Sequence, residues 1–338
     1  KFTIARVRNP EYSSNMQFVR ENLGISLMLN PEFESAKNIA NKLMFPVALS
    51  VENFFGQKAN FISIRVEKHS FLNGTQLKHL EFDPQDKIII CTVKRGDEIF
   101  IPSGNFTILE GDIIYIAGSI DAVRKFYDRI EQSNLKIKST MLIGGGTISH
   151  YLIRKLLENK NKVKVIENDK ERAEKLSEAY SKAIVIRGDE ADQEFLIQEG
   201  IKNYDAVVII TDSDEENAVI SMFANSITDA KLITKMNRTL LLPILESSTG
   251  TSTVVPKKVI SDMIISVVRS RTDMRSSTMS LLYRLENKVE LITFEINENS
   301  AAIDIPLKDL KIKKGTLVAS ILRNGKMIFP GGNDMIKI

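Results

Sequence analysis

The residues Gly144-Gly145-Gly146-Thr147-Ile148-Ser149 form the spacing in this chain best suited to binding chemistry, a turn of the form G-x-G-x-x-[G/A] with Ser in the last place. In such a turn the first glycine permits the tight bend. The second lets a pyrophosphate approach bare backbone, and the last position must be small so that a helix can pack on a strand. A helix opening at this point presents unpaired N–H groups and the positive end of its dipole, which together attract phosphate. Glu167 follows about 20 positions later, the distance at which an acidic residue reaches ribose hydroxyls. A carboxylate there repels a 2′-phosphate, which favours NAD(H) or an adenosine nucleotide over NADP(H). The plainer account is that the glycines only shape a turn and Glu167 faces solvent.

These residues need a particular scaffold, and the flanking sequence supplies it. Met141-Leu142-Ile143 is a short buried-strand run, and apolar Ile148, Leu152, Ile153, Leu156 and Leu157 then recur at helical spacing. Further strand runs are Val163 to Ile166, Ala183 to Ile186, Ala206 to Ile210 and one beginning at Leu232-Ile233. A polar helix through Arg172, Glu174 and Lys175 lies between the first two of these. Strands alternating with helices in this way predict an α/β fold, a Rossmann-like doubly wound parallel sheet, since parallel neighbours need crossover connections. Asp189 ends the third strand and Thr211-Asp212 the fourth, at the carboxyl edge where ligands bind such sheets. Helix N-capping accounts for each aspartate equally well.

No catalytic constellation accompanies the turn. His69, His79 and His150 are scattered, Cys91 has no histidine partner nearby in sequence, and no cluster has metal-ligand spacing. The expectation is a non-enzyme, with an NAD-dependent oxidoreductase as the alternative.

Beyond residue 285 the pattern becomes short strands and turns: Leu291 to Ile296, Thr316 to Leu322, the hairpin signal Asn324-Gly325 and Met327 to Phe329. The same arrangement occurs earlier. Phe61 to Val66 matches Leu291 to Ile296, and Leu77-Lys78-His79-Leu80 matches Leu307-Lys308-Asp309-Leu310. Lys94 to Asp97 matches Arg323 to Lys326, Ile4 to Val7 matches Ile233 to Met236, and Pro31 matches Pro256. An internal duplication follows, each copy a nucleotide-type domain, a connecting helix and a small β-rich α+β subdomain. The opening at Lys1-Phe2-Thr3, without Met or signal pattern, and the end at Ile338 lead to the expectation that both copies are truncated.

With 43% hydrophobic and 26% charged residues the 338-residue chain has the balance of a globular protein, and its length allows two or three compact units. A net charge of +3, without a basic cluster, gives no footprint for nucleic acid. The single cysteine lies in the apolar run Ile88 to Val93, which reads as core and fits a reducing compartment. No apolar run approaches the ~20 residues that span a bilayer.

Met141 to Ser149, Val165-Ile166-Glu167, Arg187-Gly188-Asp189 and Val208 to Ala218 together resemble the nucleotide domain of the RCK, or KTN, family, specifically the tandem units of Trk-type potassium-uptake regulators. Phe2 to Tyr12 resembles the end of a first such domain. The resemblance implies five segments. Residues 1–50 are a remnant of the first nucleotide domain with its crossover helix, and 51–135 the first carboxyl-terminal RCK subdomain. Residues 136–255 are the second nucleotide domain, 256–285 its crossover helix and 286–338 an incomplete second subdomain. It implies a regulatory ligand, NAD(H) or ATP/ADP, with phosphate at Gly144, Gly146 and Ser149, ribose at Glu167, and Asp189 and Asp212 on the adenosine side. Arg6 and Arg8 match a strand-five arginine pattern, with Lys235 in the second copy. The crossover helices, Ser35 to Leu43 and Val259 to Val268, would present apolar faces (Ile39, Ala40 and Leu43; Ile260, Met263, Ile264 and Val267) to a neighbouring domain or to an intrachain core. The implied setting is a cytosolic homo-oligomeric ring, a tetramer of tandem units, peripheral on the inner face of the membrane under a Trk-type potassium-transporting subunit. Related modules serve other ion transporters as well.

Overall fold

The computed structural model describes residues 3–7, 24–46, 48, 50–54, 59–80, 88–130, 136–242, 245, 251–272, 279–285, 289–313 and 315–337. Phe2 and the stretch from Arg8 to Tyr12 lie outside the described residues, as do the side chains of Val267 and Val268. In chain order the elements are β1 (Ile4–Arg6), β2 (Leu27–Leu29), α1 (Pro31–Met44), β3 (Ser50–Phe54), β4 (Ala59–Arg65), β5 (Ile88–Arg95), β6 (Glu98–Phe100), β7 (Ile113–Gly118) and α2 (Ile120–Ile130). There follow β8 (Ser139–Ile143), α3 (Thr147–Glu158), β9 (Lys162–Glu167), α4 (Lys170–Ala179), β10 (Ile184–Arg187), α5 (Gln193–Gln198), β11 (Ala206–Ile209), α6 (Asp214–Ile227) and β12 (Lys231–Lys235). The remainder is β13 (Ser252–Val254), α7 (Pro256–Thr272), β14 (Met279–Leu285), β15 (Val289–Phe294), β16 (Ile321–Arg323) and β17 (Lys326–Ile328). These make two compact units, one of residues 1–46 and 135–265, the other of residues 47–134 and 266–338.

The first unit is built on a six-stranded parallel sheet of order β10-β9-β8-β11-β12-β13. Period-two alternation puts a layer on each face. Leu142, Val165, Val208 and Ile233 point to one face, where Leu152, Ile153 and Leu156 of α3 cover them. Met141, Ile143, Ile166, Val207 and Ile209 point to the other, against Leu196 of α5 and Ile220 and Ala224 of α6. The chain leaves β8 toward β9 and β10, then returns to place β11 on β8's other side. The glycine turn therefore sits where the strand order reverses, the usual ligand crevice of such sheets.

The amino-terminal segment belongs to this same unit. Parallel β1 and β2 lead into α1, as β12 and β13 lead into α7, and both helices open with proline. Asn30 caps α1 by accepting from Phe33 N at 2.9 Å. Ala36, Ile39, Ala40 and Leu43 are buried in the α3 layer of the nucleotide domain, so the apolar face of α1 is spent on an intrachain core. At the contact Asn30 Nδ2 donates to Tyr151 Oη at 2.9 Å, and the Phe33 and Tyr151 rings meet edge to face at 5.4 Å.

The second unit holds a five-stranded sheet, β3-β4-β7-β5-β6, antiparallel throughout. Asp112, fully buried, takes Arg95 Nε at 2.7 Å, Arg95 Nη2 at 2.8 Å and Leu109 N at 2.8 Å, which satisfies a charge that would be costly alone. Cys91 is core as expected, and burial pushes its thiol up to about 12.

The duplication extends to individual hydrogen bonds. Leu77 N and Lys78 N donate to Phe106 O and Gly104 O, and Leu307 N and Lys308 N donate to Asp334 O and Gly332 O. Arg95 Nη2 reaches Thr107 O and Arg323 Nη2 reaches Met335 O, both at 2.9 Å. Phe329 joins Phe61, Cys91 and Tyr115 in one cluster, so the two small subdomains share a core. Asn324 and Gly325 adopt φ of 49° and 73° between β16 and β17, the hairpin that Asn-Gly predicts.

Two expectations change. The strand expected over 316–322 is formed only from Ile321. The crossover helix ends at Thr272 rather than near 285, and Met279–Leu285 is a strand paired with β15. Its counterpart β3 was equally illegible, because neither run alternates cleanly. No helix among the described residues is long and apolar enough to cross a membrane.

Ile39→Ala should cost the nucleotide unit about 2–5 kcal/mol, because α1 fills that unit's core. Hydrogen exchange read by mass spectrometry checks it: amides of α3 should lose protection along with those of α1.

Candidate functional site

The three glycines of the turn stand in three different settings. Gly144 has φ of 107°, and a Cβ there would stand 2.8 Å from the Ile210 carbonyl carbon and oxygen and 2.9 Å from Thr211 N, so β8 and β11 can approach only at glycine. At Gly145 a Cβ would meet the Glu167 carboxylate at 2.6 Å and Leu176 at 2.8 Å. Gly146, the cap of α3, has nothing within 4 Å of that position and no side-chain cap. Internal packing therefore does not demand a glycine at 146; its bare backbone and the uncapped helix end suit an anion. Thr147 is exposed and Ile148 buried in the helix layer. Ser149 is fully buried, and its hydroxyl donates to the Gly144 carbonyl. The Cβ that departs from the G/A pattern thus sits inside the turn and braces it.

Glu167 does not face solvent: it is 1% exposed. One carboxylate oxygen accepts from Gly145 N at 2.7 Å; the other accepts from Asp169 N at 2.8 Å and lies 3.2 Å from Arg172 Nη2. Arg172, on α4, also donates from Nη1 to Asp212 Oδ2 at 3.2 Å. It thus joins the ends of β9 and β11 on either side of the glycine turn. Sequence reading placed Arg172 on a polar helix and gave it no role; its position one turn into the helix after Glu167 was the available signal.

Asp189 is exposed and forms a local turn, accepting from Ala191 N at 2.9 Å, while Asp192 is the residue that caps α5. Asp189, Gly188, Arg187 and Asn168 line an open cavity of about 490 Å³ at the ends of β9 and β10. Thr211 is buried, its N–H and hydroxyl both directed to Asn217 Oδ1 at 3.0 and 2.8 Å, so it fixes the β11 turn. Asp212 is 83% exposed and lies across β8 from Glu167 and Asp189. The strand order therefore puts it on the opposite side of the glycine turn from Asp189. Lys235 Nζ approaches Asp212 Oδ1 at 4.0 Å. Burial lowers the Lys235 pKa, while Asp212, Asp214 and Glu32 act in the opposite sense. His150 packs against Tyr151 and Tyr180, with ring centroids 5.9 and 5.1 Å away, which is a structural setting. Among the described residues no group of His, Cys, Asp and Glu is arranged to hold a metal.

Glu190 was not singled out in the sequence. Burial, followed by the nearby Glu167 charge, raises its pKa from an ordinary 4.5 to about 7. Between those values the folded chain holds a proton that the unfolded chain has lost, so stability falls as pH rises through the window. Denaturation at pH 5 and pH 8 should find Glu190→Gln more stable than wild type at pH 8, with little difference at pH 5. The glycines give a second contrast. Gly144→Ala should cost about 2 kcal/mol or more through positive φ and backbone overlap, whereas Gly146→Ala should cost under about 1 kcal/mol. Thermal melts of both variants without ligand check this.

Comparison with known proteins agrees with this architecture. The TrkA-N domain model matches residues 140–256, and the TrkA-C domain model matches residues 61–131 and again 291–337. A Trk system potassium uptake protein TrkA homolog of Methanosarcina mazei is 28% identical over 335 residues, covering 99% of this chain and 73% of that protein. The Trk system potassium uptake protein TrkA of Vibrio alginolyticus is 25% identical, again over 99% of this chain and 73% of its own length. Among solved structures, the GsuK RCK domain superposes with a TM-score of 0.60 at 13% identity, covering all of this chain and 70% of that one. The GsuK channel bound to NAD gives 0.58 at 12% identity, with this chain spanning 58% of it. With its glycine turn between β8 and α3 and a TrkA-C match on each copy of the small subdomain, the chain belongs to the TrkA family of tandem RCK-domain proteins.

Proposed function

We propose that this chain is a nucleotide-binding regulatory subunit of potassium transport, with NAD(H) or ATP/ADP as its ligand. The observation that carries the reading is Gly146: a glycine that packing does not demand, at an uncapped helix end beside a buried carboxylate. Phosphate would lie on the amides of Gly146, Thr147 and Ile148, with Gly144, Gly145 and Ser149 holding the turn. Ribose would lie at Glu167, and the adenine end in the cavity beside Asp189. Potassium uptake is the activity for which the Methanosarcina and Vibrio relatives are named, and NAD is bound by the GsuK channel whose fold this chain shares.

The reading is regulatory because the relatives are named for potassium uptake and the fold is shared with RCK domains. A ligand of this kind works by population shift, and it can bias a pore only by binding two conformations with different affinity. The partner would be a Trk-type potassium-transporting membrane subunit. The chain would sit on its cytosolic face as a homo-oligomeric ring, four tandem chains being the count implied by the family.

Titration of the full chain with NADH, NAD, ATP and ADP by calorimetry tests the ligand assignment. Binding by wild type and its loss in a folded Gly146→Val variant is the expected result; unchanged affinity in that variant rules the site out. Light scattering tests the assembly. Ile264→Glu, on the half-buried face of α7, should lower the mass of the wild-type oligomer, and a wild type that stays monomeric with and without nucleotide removes the ring.

A further inference from the structure

We propose that Asp212 is an internal competitor for the nucleotide's phosphate groups, occupying the cation Arg172 that otherwise serves as their ligand. The inference rests on the nucleotide-binding reading above and gives Asp212 and Arg172 opposed roles in setting affinity at that site.

Arg172 is held from both sides of the glycine turn. Its Nη2 lies 3.2 Å from Glu167, whose other oxygen accepts from Gly145 N, and its Nη1 donates to Asp212 at 3.2 Å. The two attachments differ in kind. Glu167 is buried and bound to two backbone amides besides, so it is a fixed anchor. Asp212 is 83% exposed, and among the described residues its ion-pair partners are Arg172 at 3.2 Å and the largely buried Lys235 at 4.0 Å. An exposed pair of this kind is worth roughly 0–1 kcal/mol and exchanges readily. A phosphate offers the same geometry with more charge and more acceptor oxygens, and a guanidinium fork takes it in two parallel hydrogen bonds.

Position completes the argument. Gly144 packs directly on the backbone of Ile210 and Thr211, so Asp212 begins one residue beyond the turn's own contact. A pyrophosphate crossing from β9 to β11 over that turn must pass the Arg172–Asp212 bond. Asp212 then either yields Arg172 to the phosphate or repels it. In this arrangement Asp212 lowers affinity for every phosphate-bearing ligand, and Arg172 raises it.

The test is calorimetric titration of the full chain with NADH at fixed ionic strength, for wild type, Asp212→Asn, Arg172→Gln and the double variant. Melting curves without ligand verify that each is folded. Asp212→Asn should bind roughly two- to fivefold tighter, the size of an exposed ion pair released. Arg172→Gln should bind about tenfold weaker or worse, the size of a lost charge-assisted hydrogen bond. In the double variant the gain from Asp212→Asn should shrink toward onefold. Wild type that binds NADH while Asp212→Asn binds equally or more weakly overturns the competitor role and leaves the nucleotide site standing. Equal affinity for Arg172→Gln and wild type removes Arg172 as ligand. If neither wild type nor Asp212→Asn binds NADH, ATP or ADP, the nucleotide reading itself fails and takes this inference with it.

Discussion

The hydrogen bond from Gly145 N to the buried Glu167 carboxylate is the constraint on which the site depends. An ionised carboxylate at 1% exposure is tolerable only if its lone pairs are met, and here two amides and a guanidinium meet them. That requirement fixes the glycine turn against the end of β9 and excludes a side chain at Gly145. It draws α4 across the mouth through Arg172 and leaves the α3 terminus as the open donor group. The same carboxylate charge contributes to the raised pKa of Glu190. One electrostatic necessity thus organises three loops from separate strands.

The sequence made the nucleotide domain legible because its signals are local. Glycines at set spacing, short apolar runs and helical periodicity each lie within about ten residues, and the parallel sheet follows from their alternation. The duplication was legible because Leu77 to Leu80 and Leu307 to Leu310 preserve the same turn, down to its backbone bonds. What escaped was whatever depends on distant partners. Arg172 acquires its role only once β11 is placed across β8. Glu190 is perturbed only because the fold buries it near Glu167, and β3 and β14 exist as strands through pairing with β4 and β15.

The two small subdomains follow a similar logic. Among the described residues β14–β15 and β16–β17 are each two-stranded, a form with little stability of its own in water. Phe329, Met327 and Val289 instead pack on the aromatic face of the earlier copy, around Phe61 and Tyr115. Residues separated by more than half the chain share one core, which ties the folding of the later copy to that of the earlier.

Helix α1 carries this interdependence furthest. By descent it closes the first copy of the repeat, yet Ile39 and Leu43 complete a hydrophobic layer of the second copy's nucleotide domain, and Asn30 meets Tyr151 across 121 positions of sequence. A gene duplication ordinarily yields modules that selection can shuffle, lose or replace one at a time. Here each copy has lent a structural part to the other, and that freedom is gone. Deleting the first copy would strip the second of its covering helix, so a substitution in α1 is felt in the core of a domain that lies more than a hundred residues further along the chain.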